Sequence, residues 1–451
     1  MRVDSLQQNE GGARTMRSLF TISFFLFLSF TTSLFATELF TGQPKEIFAD
    51  EINKPWDFVE RHVDPHPRFP YEPHHPKGVH IMPEIRQMFG TDFPESNTFL
   101  LHAAPGWDEA TKSNPILCLP GAFDNATLRY GLPYWGHEDP AYDKPGLAVY
   151  LARRGYAVFG ITFAHAQGCN IHQGEHVANA IKRIRMLQGR ENDPSFSVTL
   201  VTYSKGIFAA RCYVESACNF YRMKHLTSFR NDVSHCVFQV GPIAGMDSPY
   251  RYYAYPLLAS GRDEFPPMPQ PADGVLKYGT WRKTSHVESI YSEYWIGTRQ
   301  CMYDLRKIGI DYGVFSWTPM DLNSTMKALV DGGKTLLLKC RGIDDAAQAG
   351  GNLVERLNEC GLPKGVKASL VAGTHPVLYT GETFLGFRVP LGAELTDTSD
   401  GAVFLKSVFY TKGLTASGAK VVGKKSWKLN HVDISRSKGV YSWILGQLEL
   451  N

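Results

Sequence analysis

Long apolar runs are scarce in this 451-residue chain. Beyond residue 36 no stretch approaches the ~20 consecutive apolar residues that a helix needs to cross a bilayer, so the body is expected to be soluble. Excess charge of either sign is also missing. Forty-seven basic residues face 44 acidic ones, and the net +3 is spread along the chain. That balance gives no ground for a nucleic-acid partner. No internal repeat and no second-domain linker is visible. The eight cysteines have no spacing that resembles a zinc site, and no metal or organic cofactor is expected. Cys118 and Cys236 lie in apolar runs and read as core residues. Cys169 and Cys301 stand in polar, loop-like sequence and are the better candidates for a disulfide, with no pairing derivable.

What is present begins with a targeting segment. Met16-Arg17 precedes the apolar run Leu19 to Phe30, and Thr31-Thr-Ser-Leu-Phe-Ala36 follows. A basic start, an apolar middle and a small exit residue read as a secretory signal over residues 1–36, for a secreted or periplasmic protein. Leu34, where a small residue is preferred, keeps an uncleaved anchor open as the alternative. Residues 37–95 form a Pro- and His-rich extension. Its proline density disfavours regular elements, and its histidines 62, 66, 74, 75 and 80 read as parts of an extended strap rather than metal ligands.

From Thr98 onward apolar strands alternate with amphipathic helices. Strand-like sequence covers 99–103, 115–119, 156–162 and 198–201, with helical patterns over 146–154 and 176–187. This order predicts an α/β fold, a mostly parallel sheet with helices on both faces. One domain, 96–451, is expected, broken at about 250–325 by a large aromatic-rich cap or lid insertion. Ligands bind such sheets at the carboxyl ends of the strands. Two features fall there: the Gly121-Ala122 turn and Ser204, in Thr202-Tyr-Ser-Lys-Gly206 between a β-branched run and a helix.

A serine on a tight strand-to-helix turn becomes a nucleophile when an imidazole takes its proton and a carboxylate orients that imidazole. Two acid–histidine pairs follow Ser204 in the chain. One is Asp344 or Asp345 with His375; the other is Asp400 with His431.

Family resemblance separates them. Ser399-Asp-Gly-Ala-Val403 followed by Asn430-His-Val-Asp433 and a terminal helix resembles the end of secreted lipases of the α/β-hydrolase fold. Leu119-Pro-Gly121 and Thr202-Tyr-Ser-Lys-Gly206 are similar to their oxyanion turn and nucleophile elbow. The likeness covers about 113–245 and 395–448 and implies an α/β-hydrolase with a Ser204–His431–Asp400 triad. It also implies an oxyanion hole from the amides of Ala122 and Lys205, and activity on small-molecule or lipid carboxylic esters. Departures stand at Thr202 for glycine, Pro120 for histidine and Lys205 for Gln, His or Met. The calcium aspartate of some bacterial relatives matches Asp433, but their following glutamine is Ser437 here, and their disulfide cysteine is Lys406. The cap would be the surface that meets a lipid or membrane. A thioesterase, acyltransferase or peptidase on the same nucleophile, or a binding protein on a hydrolase scaffold, are the rival readings.

Overall fold

The computed structural model describes residues 40–49, 52, 54–66, 68–74, 79–112, 114–131, 146–247, 293–310, 331, 333–334, 339–340, 342–384, 387–394 and 396–449. The expected targeting segment and most of the expected cap lie outside them.

Among the described residues nine strands form the main sheet: β1 (Glu46–Phe48), β2 (Phe58–Val63), β3 (Thr98–Ala103), β4 (Ile116–Leu119), β5 (Val158–Phe163), β6 (Val198–Tyr203), β7 (Val233–Gln239), β8 (Lys367–Gly373) and β9 (Lys420–Trp427). Their spatial order is β1-β2-β3-β5-β4-β6-β7-β8-β9. From β5 to β9 every pairing is parallel. The β1–β2, β2–β3 and β3–β5 pairings are antiparallel. Six parallel strands, an antiparallel β3 beside them and the β5-β4 exchange make this an α/β-hydrolase fold.

Strand periodicity explains the two-sided core. Along β6, Val198 and Leu200 face one apolar cluster, while Val201 and Tyr203 face the other. A strand buried on both faces must be apolar at nearly every position, and β4, β5 and β6 are buried throughout. Helix α3 (Asn170–Leu187) packs on the first face through Val177, Ile181 and Ile184, and α4 (Gly206–Val214) through Ile207 and Phe208. Helix α2 (Leu147–Ala152) and the terminal α5 (Lys438–Glu449) cover the second face through Leu147, Leu151, Tyr441 and Ile444.

Three elements differ from expectation. Residues 37–95 are more than a strap, because β1 and β2 extend the sheet and Pro83–Phe89 forms helix α1. β2 reads as polar because Glu60 and His62 are buried in it; Glu60 is bonded to His62 at 2.8 Å and to Arg183 at 2.6 Å. Helix α3 starts six residues before the expected position, at Asn170. Its first turns bury polar side chains, which hides the apolar period. The expected disulfide cysteines Cys169 and Cys301 are both free and buried. Each thiol has a polar partner instead: Gln300 Nε2 lies 3.2 Å from Cys169 Sγ, and Cys301 Sγ lies 3.1 Å from the Gly297 carbonyl. Among the described residues no helix is long and apolar enough to cross a membrane.

Candidate active site

Ser204 is the first residue past β6 and has φ +50°, in the left-handed region that non-glycine residues seldom adopt. Its amide donates to the Gln239 carbonyl at 2.9 Å, tying the turn to the end of β7. Gly206 is obligatory for local reasons. A β-carbon there would stand 2.4 Å from the Pro120 carbonyl oxygen and 2.8 Å from that of Leu119. The elbow therefore passes against the end of β4, and so beside the Gly121-Ala122 turn. Gly121 is as tightly held, since its β-carbon would lie 2.9 Å from the Tyr203 ring and 3.1 Å from Ser204 Cβ.

Ser204 Oγ lies 2.9 Å from His431 Nε2, and His431 Nδ1 lies 2.8 Å from Asp400 Oδ2. These three residues stand far apart in sequence and come from three strand ends. His431 follows β9. Asp400 follows β8 after an antiparallel hairpin, Val377–Phe384 with Phe387–Ala393. At the end of β8, Gly373 lets the acid and histidine loops close together; a β-carbon there would meet Leu429 O at 2.5 Å and Asp400 Cβ at 2.7 Å. The carboxylate is fully buried, and each oxygen has a role. Oδ1 accepts from the amides of Ala402 (3.0 Å) and Val403 (2.7 Å), leaving Oδ2 for the imidazole. The His431 amide also donates to the Asp400 carbonyl at 2.7 Å, which fixes the loops on one another.

A brace missed in the sequence supports this chain of bonds. Tyr203 donates its hydroxyl to the His431 carbonyl at 2.8 Å. Arg129 lies over the Tyr203 ring at 3.8 Å, bonds Ser435 Oγ at 2.6 Å and is ion-paired with Asp124. Apart from the Asp124–Arg129 pair, five residues apart, these contacts span from 74 to 306 positions, and no sequence signal joins them.

The competing pair does not reach the serine. Asp344 is solvent-exposed and paired with Lys307 at 3.2 Å, at the start of helix Ile343–Ala349 together with Asp345. His375 is exposed, with Nδ1 3.2 Å from the Val377 carbonyl oxygen. The run Lys334–Cys340 before these acids also reads as a strand in the sequence; among the described residues it contributes the pairing of Gly333–Lys334 with Lys339–Cys340, outside the main sheet. Among the described residues no metal-ligand cluster forms around Asp433.

Lys205 is the residue after the serine. Its side chain turns inward, buried, with Nζ 2.8 Å from Gln173 Oε1. Burial lowers its pKa to about 8. Phe123, next to Ala122, has φ +57° and meets Trp295 edge-on at 4.6 Å. Trp295 and Gly297 belong to residues 293–310, the described part of the expected cap insertion, and Gly297 donates to Gln167 O at 2.8 Å. That segment rests on the loop between β5 and α3.

No family model matches the sequence, and no curated protein does. Solved structures match at low identity. The mature lipase BlEst2 of Bacillus licheniformis is 15% identical over 75% of this chain and 93% of its own, with a TM-score of 0.34. An inhibited esterase B from Lactobacillus rhamnosis is 12% identical over 97% and 96%, with a TM-score of 0.36. An esterase from Pyrococcus furiosus is 10% identical over 78% and 85%, also with a TM-score of 0.36. These likenesses are distant, and the fold rests on strand order rather than on them.

Proposed function

We propose that the chain is a secreted serine hydrolase that cleaves carboxylic esters, as a lipase or esterase, through an acyl-enzyme. The observation that carries this reading is the unbroken hydrogen-bonded path from Ser204 Oγ through His431 to Asp400. Ser204 Oγ attacks the ester carbonyl while Nε2 takes its proton. Asp400 holds the tautomer with Nδ1 protonated and stabilises the imidazolium that forms. The imidazolium then protonates the leaving alcohol, and a water activated by the same nitrogen releases the acid.

The oxyanion would be held by the amides of Ala122 and Lys205. Neither amide has a hydrogen-bond partner within the protein among the described residues, and the Gly121 contact sets their turn against the serine. Each such donor is worth about 3–4 kcal/mol of barrier. Residues 1–36 would direct export, and 250–325 would form the cap that selects the acyl group and meets the lipid. In this scheme the domain takes in strands β1 and β2 as well as residues 96–451, because both strands belong to the main sheet.

Purified protein should hydrolyse short-chain chromogenic esters, and Ser204→Ala should lower kcat by about 10⁵–10⁶-fold without loss of fold. Turnover unchanged by that substitution discards the mechanism. Faster transfer to an added alcohol than to water would move the reading to an acyltransferase.

A further inference from the structure

A second group of chemically capable side chains lies inward of the Ser204 elbow, on the Lys205 side. Glu72, from the proline-rich strap, meets Cys169 and His172, and one donor atom from each lies within 4.8 Å of the other two. All three residues are more than nine-tenths buried. Cys169 is the N-cap of α3 and His172 is in its first turn, so the Cys-x-x-His spacing puts both on one side of the helix. The third donor lies 97 positions upstream of Cys169, which is why no zinc spacing is visible in the sequence.

The imidazole is the telling member. His172 Nδ1 is buried and has no hydrogen-bond partner. The remaining contacts suit a bound thiolate and carboxylate. Gln300 Nε2 donates to Cys169 Sγ at 3.2 Å, and the Cys169 amide donates to Glu72 Oε1 at 3.0 Å.

We propose that Glu72, Cys169 and His172 bind one zinc ion, with water or a nearby amide oxygen in the fourth position. One thiolate, one imidazole and one carboxylate form a donor set of borderline softness that suits Zn²⁺ and disfavours Mg²⁺ or Ca²⁺. Small side-chain movements would bring the three atoms to bond lengths of about 2.0–2.3 Å. Binding expels the Cys169 thiol proton and any proton on Glu72, and the two negative ligands then balance the ion. Lys205 keeps its own partner, Gln173. The ion would pin the N-terminal strap to the β5–α3 loop behind the elbow, as a structural clip independent of ester hydrolysis.

The test uses the full, untagged chain, stripped with chelator and then equilibrated with zinc sulfate. One zinc per chain should survive gel filtration, and the melting temperature should rise by roughly 3 °C at a hundredfold excess over the dissociation constant. Cys169→Ser and His172→Gln should each weaken binding at least tenfold. Cobalt in place of zinc should give a thiolate-to-metal charge-transfer band in the wild-type protein, a readout that needs no variant to fold. Failure to retain zinc, retention unchanged in the double variant, a cobalt complex without the thiolate band, or a Cys169–Cys301 disulfide in mapped peptides would each overturn the proposal.

Discussion

Asp400→Asn isolates the electrostatic role of the acid from its structural one. The carboxylate is fully buried, and its two oxygens serve different partners. Oδ1 holds two backbone amides, and Oδ2 meets His431 Nδ1 at 2.8 Å. Asparagine is nearly isosteric. Its oxygen can keep the Ala402 and Val403 amides, which leaves its NH₂ facing His431. That group can only donate, so it selects the tautomer with Nε2 protonated. Nε2, 2.9 Å from Ser204 Oγ, then cannot accept the serine proton. The expected loss in kcat is about 10⁴-fold. That corresponds to about 5.4 kcal/mol of barrier. Thermal stability should change little, because the caged amides keep their acceptor. Asp400→Ala should cost both, since two buried amides lose their partner at about 1–3 kcal/mol each. Turnover of a chromogenic ester and a thermal melt on the three proteins separate these effects. Activity within tenfold of wild type in Asp400→Asn, or an equal fall from His375→Ala, would refute the argument.

Other predictions rest on packing and protonation. Gly206→Ala forces a methyl to 2.4 Å from a carbonyl oxygen and should destabilise by at least about 2 kcal/mol while displacing the elbow; a melt and an activity unchanged from wild type would contradict that close contact. Arg211→Met strips a wholly buried ion pair with Glu215 and the bonds to the Ile243 and Gly413 carbonyls, costing about 3–5 kcal/mol in urea unfolding; a change under about 1 kcal/mol would count against it. Burial lowers the pKa of His80, His176 and His235 to about 4, and that of His102 and His165 to about 3. Each lies below its unfolded value of about 6.5, so its contribution is complete above that pH and is lost as pH falls toward 3–4, at up to about 1.4 kcal/mol per pH unit. The melting temperature should therefore drop steeply between pH 6.5 and 5, and a flat profile there would overturn this assignment.

Much of the sheet is legible in the sequence because β4, β5 and β6 are buried on both faces and so are written in continuous apolar residues. The strands that escape notice obey other rules. β2 carries Glu60 and His62 inside an ion-paired cluster, which removes the apolar signature without removing the burial. β9 is an edge strand, largely exposed and lysine-bearing, the usual protection against unwanted pairing. At the site, the serine turn stands out locally, whereas the choice of acid does not. The hairpin between β8 and Asp400 separates the acid from its strand, and Asp344-Asp345 stand after a run that looks equally strand-like. Only the tertiary approach of the Gly373 and Leu429 backbones brings one pair to the serine. The contacts of Tyr203 with Arg129 and with the His431 carbonyl join distant segments and have no local pattern.

The central claim is that the Ser204 hydroxyl is activated by His431. Its most direct test is peptide mass mapping of the intact protein after brief exposure to a fluorophosphonate. The account predicts one stoichiometric adduct, on Ser204, absent when His431 is replaced by alanine. A protein that stays unlabelled, or that is labelled equally fast without the imidazole, would contradict it.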